Sequence, residues 1–147
     1  MYIWVDADAC PKVIKEILYR AAIRTNTGVV LVSNQALFVP SSMFIRTLQV
    51  PKGFDAADDE IVARIKKNDV VITADIPLAD AVIQKDAFAL NPRGTLYTKN
   101  NIKQIRSFRD LSMALRDSGI IRGGPPKISP REIQAFANTL DKLLRKQ

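Results

Sequence analysis

Residues 69–90 read DVVITADIPLADAVIQKDAFAL. An apolar run at 70–72 gives way to a helical pattern with Pro77 early in it, and a second short apolar run closes the segment at 87–90. Continuous apolar strands joined by a helix mark a parallel sheet covered on both faces, because parallel neighbours need a crossover connection. The same alternation extends toward the N-terminus. Residues 2–5 and 28–33 read as buried strands, 44–50 as a third strand, 10–25 and 55–67 as helices. In the first of those helices Val13, Ile14, Ile17, Leu18 and Ala21 recur at helical spacing, and Pro11 sits near the first turn. Toward the C-terminus come a turn-rich segment (91–102), an amphipathic helix (100–119) ending at Gly119, a stretch of linker composition (123–130) and a last helix (129–147) with Ser129 as its cap and Pro130 in its first turn. The pattern predicts one α/β domain over residues 1–147. Its mainly parallel sheet has order 3-2-1-4-5 between two layers of helices, and residues 120–147 form a loop and a helix packed on the domain or extending from it. The weak link is 34–43, barely long enough for a crossover, which predicts a short helix or an irregular loop.

Residue types limit the chemistry. The chain of 147 residues has one cysteine, Cys10, and no histidine. An intramolecular disulfide, imidazole ligation and Ser-His-Asp or Cys-His catalysis are therefore excluded, and a metal site would have to be built from oxygen, which suits Mg²⁺ or Mn²⁺. No apolar run approaches a membrane span, and Met1 leads directly into the first strand, so a cytoplasmic protein without a membrane partner is expected. Cys10 precedes a helix, but carboxylates stand nearby and a packed thiol is the simpler expectation.

The carboxylates are the informative feature. In the predicted order the chain changes direction between strands 1 and 4, and ligands bind at the carboxyl ends there. Asp6 ends strand 1, in IWVDADAC (3–10), and Asp75 lies just past strand 4. Two acids distant in sequence thus flank one crevice. Asp55, Asp58 and Asp59 share one face at the start of the helix after strand 3, and Asp80 lies a little over one turn into the next helix. Like charges in one cleft repel, and a divalent cation would hold them ionised. The candidate metal ligands are Asp6, Asp8, Asp58, Asp59, Asp75 and Asp80, with Asp6, Asp58, Asp59 and Asp75 as the catalytic set. Helix capping by Asp6, Asp8, Asp55 or Asp75, and a solvated first turn for Asp59 and Glu60, are the plainer alternatives.

The net charge of +7 suggests a polyanionic partner, or solubility alone. Arg93 in NPRG (91–94), Lys99, Arg122 and Lys127 are the loop residues that would meet a phosphodiester backbone. Tyr97 and Phe54 are aromatic side chains able to stack bases or simply to pack.

Five ordered blocks, VDADACPK, GFDAADDEI, VVITADIPLAD, LNPRGTLYTKNNI and GGPPKIS, resemble the signature blocks of the bacterial YaiI/YqxD family across nearly the whole chain. That family has no settled function. It is grouped with PIN-like domains, whose nuclease members cut single-stranded RNA or DNA with Mg²⁺ or Mn²⁺ in an acidic pocket. The resemblance implies a PIN-like fold. It aligns Asp6 with the first-strand aspartate, Asp58 or Asp59 with the acid of the middle helix, and Asp75 with the aspartate after strand 4. Asp80 resembles a further acid. The DACP and NPRG stretches are not general PIN features. A metal-dependent nuclease acting on single-stranded RNA is the leading expectation. The alternatives are a non-catalytic nucleic-acid-binding module and a haloacid-dehalogenase-type phosphatase, whose strand–Asp–x–Asp opening IWVDADAC resembles and whose second motif Thr73 would supply.

Overall fold

A computed structural model describes residues 1–53, 55–119 and 126–145. The chain runs β1 (Tyr2–Asp6), a 3₁₀ turn (Ala7–Ala9), α1 (Lys12–Thr25), β2 (Gly28–Ser33), β3 (Ile45–Gln49), α2 (Ala56–Arg64) and β4 (Val70–Ile72). It continues through α3 (Ile76–Gln84), β5 (Phe88–Leu90), β6 (Leu96–Tyr97), α4 (Ile102–Asp117) and α5 (Pro130–Arg145). The sheet order is β3-β2-β1-β4-β5-β6. Strands β1 to β5 are parallel, and β6 runs antiparallel to β5. Among the described residues no helix is long and apolar enough to cross a membrane.

Alternation along the strands builds the three layers. Ile3 stands opposite both Val29 and Val70, so one register serves both neighbours of β1. Ile3, Val5, Leu31 and Ile72 then face one side, where α1 and α5 bury Leu18 and Phe136 against them. Trp4, Val32, Val71 and Ala89 face the other, beneath α2, α3 and the start of α4. A slip of one residue in either pairing would exchange these two sets of side chains.

The structure refines several boundaries. Helix α1 begins at Lys12, not at residue 10: Pro11 is extended (φ −59°, ψ 145°) and acts as N-cap, and a proline restrains the residue before it, leaving Cys10 extended as well. Helix α2 stops at Arg64 because Ile65 turns to extended backbone. The 34–43 link is irregular, the second of its two expected forms. Strand β6 was not legible, since only two residues pair within the turn-rich segment.

The last helix is docked through its N-terminal half. Ser129 and Glu132 form a reciprocal capping box: the Glu132 backbone N–H donates to Ser129 Oγ at 3.2 Å, and the Ser129 N–H donates to Glu132 Oε1 at 3.0 Å. Arg93 Nη1 donates to both oxygens of the same Glu132, at 3.0 and 3.1 Å, and Nη2 donates to the Pro126 carbonyl. Gly94, at φ +104°, lets the turn pass so close to α5 that a Cβ there would lie 2.7 Å from the Ala135 Cβ and 3.0 Å from the Phe136 nitrogen. Gly119 also has a positive φ, +81°, but a Cβ there would meet none of the described residues.

These two glycines separate backbone strain from steric exclusion. Gly119→Ala should cost about 1 kcal/mol, the penalty of left-handed backbone alone. Gly94→Ala should cost that plus about 1–3 kcal/mol of overpacking against α5. Urea denaturation of the two variants beside the wild type measures the difference.

Candidate active site at the carboxyl edge

Asp6 is the last residue of β1, where the parallel sheet changes direction between β1 and β4. Val5 pairs with Ile72, so the next residues along, Asp6 and Thr73, emerge side by side. Thr73 is buried, and its hydroxyl donates to Asp6 Oδ2 at 3.2 Å while accepting from the Asp75 backbone N–H at 3.0 Å. One hydroxyl therefore ties the end of β1 to the start of α3. Asp75 is the N-cap of α3, its Oδ1 accepting from the Leu78 N–H at 2.9 Å, with Pro77 in the first turn. The capping alternative is thus realised for Asp75, and it occupies one carboxylate oxygen.

Asp58 enters from α2 and lies within hydrogen-bonding reach of Asp75. Burial, then the charges of Asp75 and Asp6, then the bond to Asp75 and the charge of Asp55, push the Asp58 carboxyl up to about 7. Burial also raises Asp6; the Thr73 hydroxyl opposes this, and the charges of Asp75 and Asp8 add to it. Asp6, Asp58 and Asp75 thus form one electrostatically linked cluster. Among the described residues, no group of three or more His, Cys, Asp or Glu side chains stands in metal-holding geometry.

The other acids are placed differently. Asp59 is exposed on the outer side of the first turn of α2. Asp8 accepts from Ser33 Oγ at 2.6 Å and from the Asn34 N–H at 3.0 Å, so it pins the loop that leaves β2. Asp80 faces α4, where Arg106 Nη1 donates to it at 2.9 Å. Its position one turn below Asp75 directs it along the α3–α4 contact and not back to the edge. Asp55 precedes α2 in left-handed backbone (φ 67°) and makes no side-chain cap.

The basic and aromatic candidates scatter. Arg93 lies beyond β5, but Glu132 and the Pro126 carbonyl occupy its guanidinium, so its role is to seat α5. Lys99 is at the opposite edge: β6 reverses the chain and carries Lys99 to the amino ends of the strands, 3.6 Å from Asp86. Lys127 is exposed one residue past Pro126. Arg122 and Phe54 lie outside the described residues. Tyr97 is buried, its oxygen accepting from Asn91 Nδ2 at 2.7 Å, and packs instead of offering a ring. Cys10 is buried, and burial pushes its thiol up to about 12, so it stays protonated and unreactive. Thr73 is the member that carboxylate counting misses. A threonine ending a buried strand two residues before an aspartate is the only sign of it in the sequence.

Fold and site together define a three-layer α/β protein with a carboxylate cluster at the switch point of a parallel sheet. The chain belongs to the YaiI/YqxD family: that family's pattern, described as "Uncharacterized BCR, YaiI/YqxD family", matches residues 4–146. It is 59% identical over 145 residues to the UPF0178 protein YE1167 of Yersinia enterocolitica, covering 99% of this chain and 95% of that protein. Identity and coverage are the same for the UPF0178 proteins YpsIP31758_1279 of Yersinia pseudotuberculosis and YpAngola_A2785 of Yersinia pestis. No solved structure matches the chain.

The raised Asp58 carboxyl gives a pH signature. Folded, Asp58 holds its proton to about pH 7; in the unfolded chain a carboxyl of its type releases it near 3.8. Between those values the folded state binds more protons, so the Asp58 contribution to stability falls as pH rises through that window. Asp58→Asn should therefore melt with the wild type near about pH 4 and above it near about pH 8. Thermal melts at both pH values check the sign.

Proposed function

We propose that this protein is a cytoplasmic, PIN-like, metal-dependent nuclease that hydrolyses phosphodiester bonds in single-stranded RNA. The observation that carries the reading is the convergence of Asp6, Asp58 and Asp75 at the switch-point crevice, where burial and mutual charge raise the carboxyls of Asp6 and Asp58. The all-oxygen donor set suits Mg²⁺ or Mn²⁺ in its chemistry, and Asp6, Asp58 and Asp75 would have to draw closer than they stand here to hold it. The bound cation would supply an activated water and charge stabilisation at the phosphoryl group. The chain's own residues do the positioning. Thr73 orients Asp6, and the first turn of α3 fixes Asp75. A phosphatase of the strand–Asp–x–Asp kind would need Asp8 beside the substrate, and Asp8 is held by Ser33 and Asn34.

Wild-type protein should cleave a single-stranded oligoribonucleotide when Mn²⁺ or Mg²⁺ is added and not in excess chelator. Asp6→Asn and Asp75→Asn should reduce cleavage to background, and Thr73→Val should lower it about tenfold by loosening Asp6. Asp80→Asn should cleave normally, since its carboxylate serves Arg106. Gel analysis of cleavage by the four variants and the wild type tests the assignment. RNA binding without metal-dependent cleavage by the wild type would favour the non-catalytic binding module.

A further inference from the structure

The amino ends of β1, β2 and β3 carry a second constellation, built on residues that the carboxyl-edge crevice does not use. Its anchor is Asp69, a buried carboxylate just before β4. Asp69 accepts from the Tyr2 backbone N–H at 3.0 Å, from Trp4 Nε1 at 3.1 Å and from the Lys66 N–H at 2.9 Å. One carboxylate thereby fixes both aromatic residues of β1. The Tyr2 ring packs directly on Gly28, where a Cβ would come within 2.5 Å of it, yet Tyr2 remains 43% exposed. The ring thus rests on Gly28 and beside the tilted Trp4 ring, 6.1 Å between centroids, with the rest of the residue open to solvent.

Around it lie two cavities of about 310 and 280 Å³ that share Tyr2, Val30 and Arg46. The second is also lined by Leu48 and by Arg64 at the end of α2. Arg46 and Arg64 line the same groove. Arg64 is paired with Glu60, whereas Arg46 takes part in none of the ion pairs among the described residues. A flat, preorganised ring beside a free guanidinium is the combination that takes a base by stacking and its phosphate by charge-assisted hydrogen bonds.

We propose that this groove binds an unpaired nucleotide of a single-stranded nucleic acid, its base on the Tyr2 ring and its phosphate on Arg46. The inference rests on the nucleic-acid half of the proposed function and is independent of hydrolysis. It also gives the net charge of +7 a place to act, since Arg93 and Lys99 are committed elsewhere. Tyr2 and Asp6 stand four residues apart at opposite ends of β1, about 13 Å along the strand, with α2 packed over the sheet between them, so the groove is a site separate from the crevice.

The test is a titration of a short labelled oligouridine by fluorescence anisotropy in chelator, with the emission of Trp4, the sole tryptophan, as a second readout at the groove. Wild type and Asp80→Asn, whose carboxylate serves Arg106, should bind equally. Arg46→Gln, at an exposed position, and Tyr2→Leu should each bind about tenfold more weakly. Arg46→Gln should also reduce the log–log salt slope by about 0.7. Uridine monophosphate should change Trp4 emission where inorganic phosphate does not. Normal binding by Arg46→Gln and Tyr2→Leu would overturn the groove while leaving the nucleic-acid reading standing. No binding by the wild type would overturn both. Equal competition by polyglutamate would reduce the groove to an unspecific anion surface and overturn the proposal.

Discussion

The carboxyl edge depends on the parallel pairing of β1 with β4. These strands are separated by more than sixty residues, and three registered pairs, Ile3 with Val70, Trp4 with Val71 and Val5 with Ile72, join them. The pairing does two jobs at once. It closes the middle of the sheet, so that both hydrophobic layers form, and it delivers Asp6 and Thr73 to adjacent positions at the strand ends. Because side chains alternate with a period of two, the register that buries Ile3 and Val5 is the one that brings Asp6 into reach of the Thr73 hydroxyl. Core packing and site geometry are set by a single constraint.

Asp6, Asp58 and Asp75 repel one another and are partly desolvated, which is unfavourable unless a proton or a cation intervenes. The fold tolerates the cluster by spending its other polar groups around it. Thr73 donates to Asp6, the first turn of α3 donates to Asp75, and Ser33 and Asn34 draw Asp8 aside. What remains unbalanced is Asp58, whose carboxyl is pushed up by burial and by the charges of Asp75 and Asp6. At the opposite end of β1, Asp69 lives in a contrasting environment. Three donors surround it, and it acts as an anchor for Tyr2 and Trp4.

The NPRG turn shows why motif chemistry needs a structural context. An arginine in a turn at the carboxyl end of β5 has the composition of a phosphate contact. In the folded chain its guanidinium is occupied by Glu132, the residue that also completes the capping box of α5, and Gly94 removes the side chain that would keep α5 away. The motif is therefore part of how the last helix is held on the α1 face of the sheet, where Phe136 and Leu140 are fully buried.

The sequence by itself determined the layer architecture and the strand order. Apolar runs and helical spacing are local signals, and the switch between strands 1 and 4 follows from the ordinary winding of such sheets. It also determined that Asp6 and Asp75 meet, because both sit at strand ends whose place in that order is fixed. Direction of side chains was a tertiary matter. Whether Asp58 or Asp59 faces the crevice depends on the rotation of α2, which is set by Ile61 seeking the core. Asp80 turns to Arg106 because α4 packs beside α3, a contact with no trace in local sequence. Lys99 goes to the far edge because two residues pair as β6, too few to leave a pattern. Asp8, Arg93 and Tyr97 found partners among residues that folding alone brought near, since the polar groups that satisfy a buried or half-buried side chain come from wherever the packed chain passes.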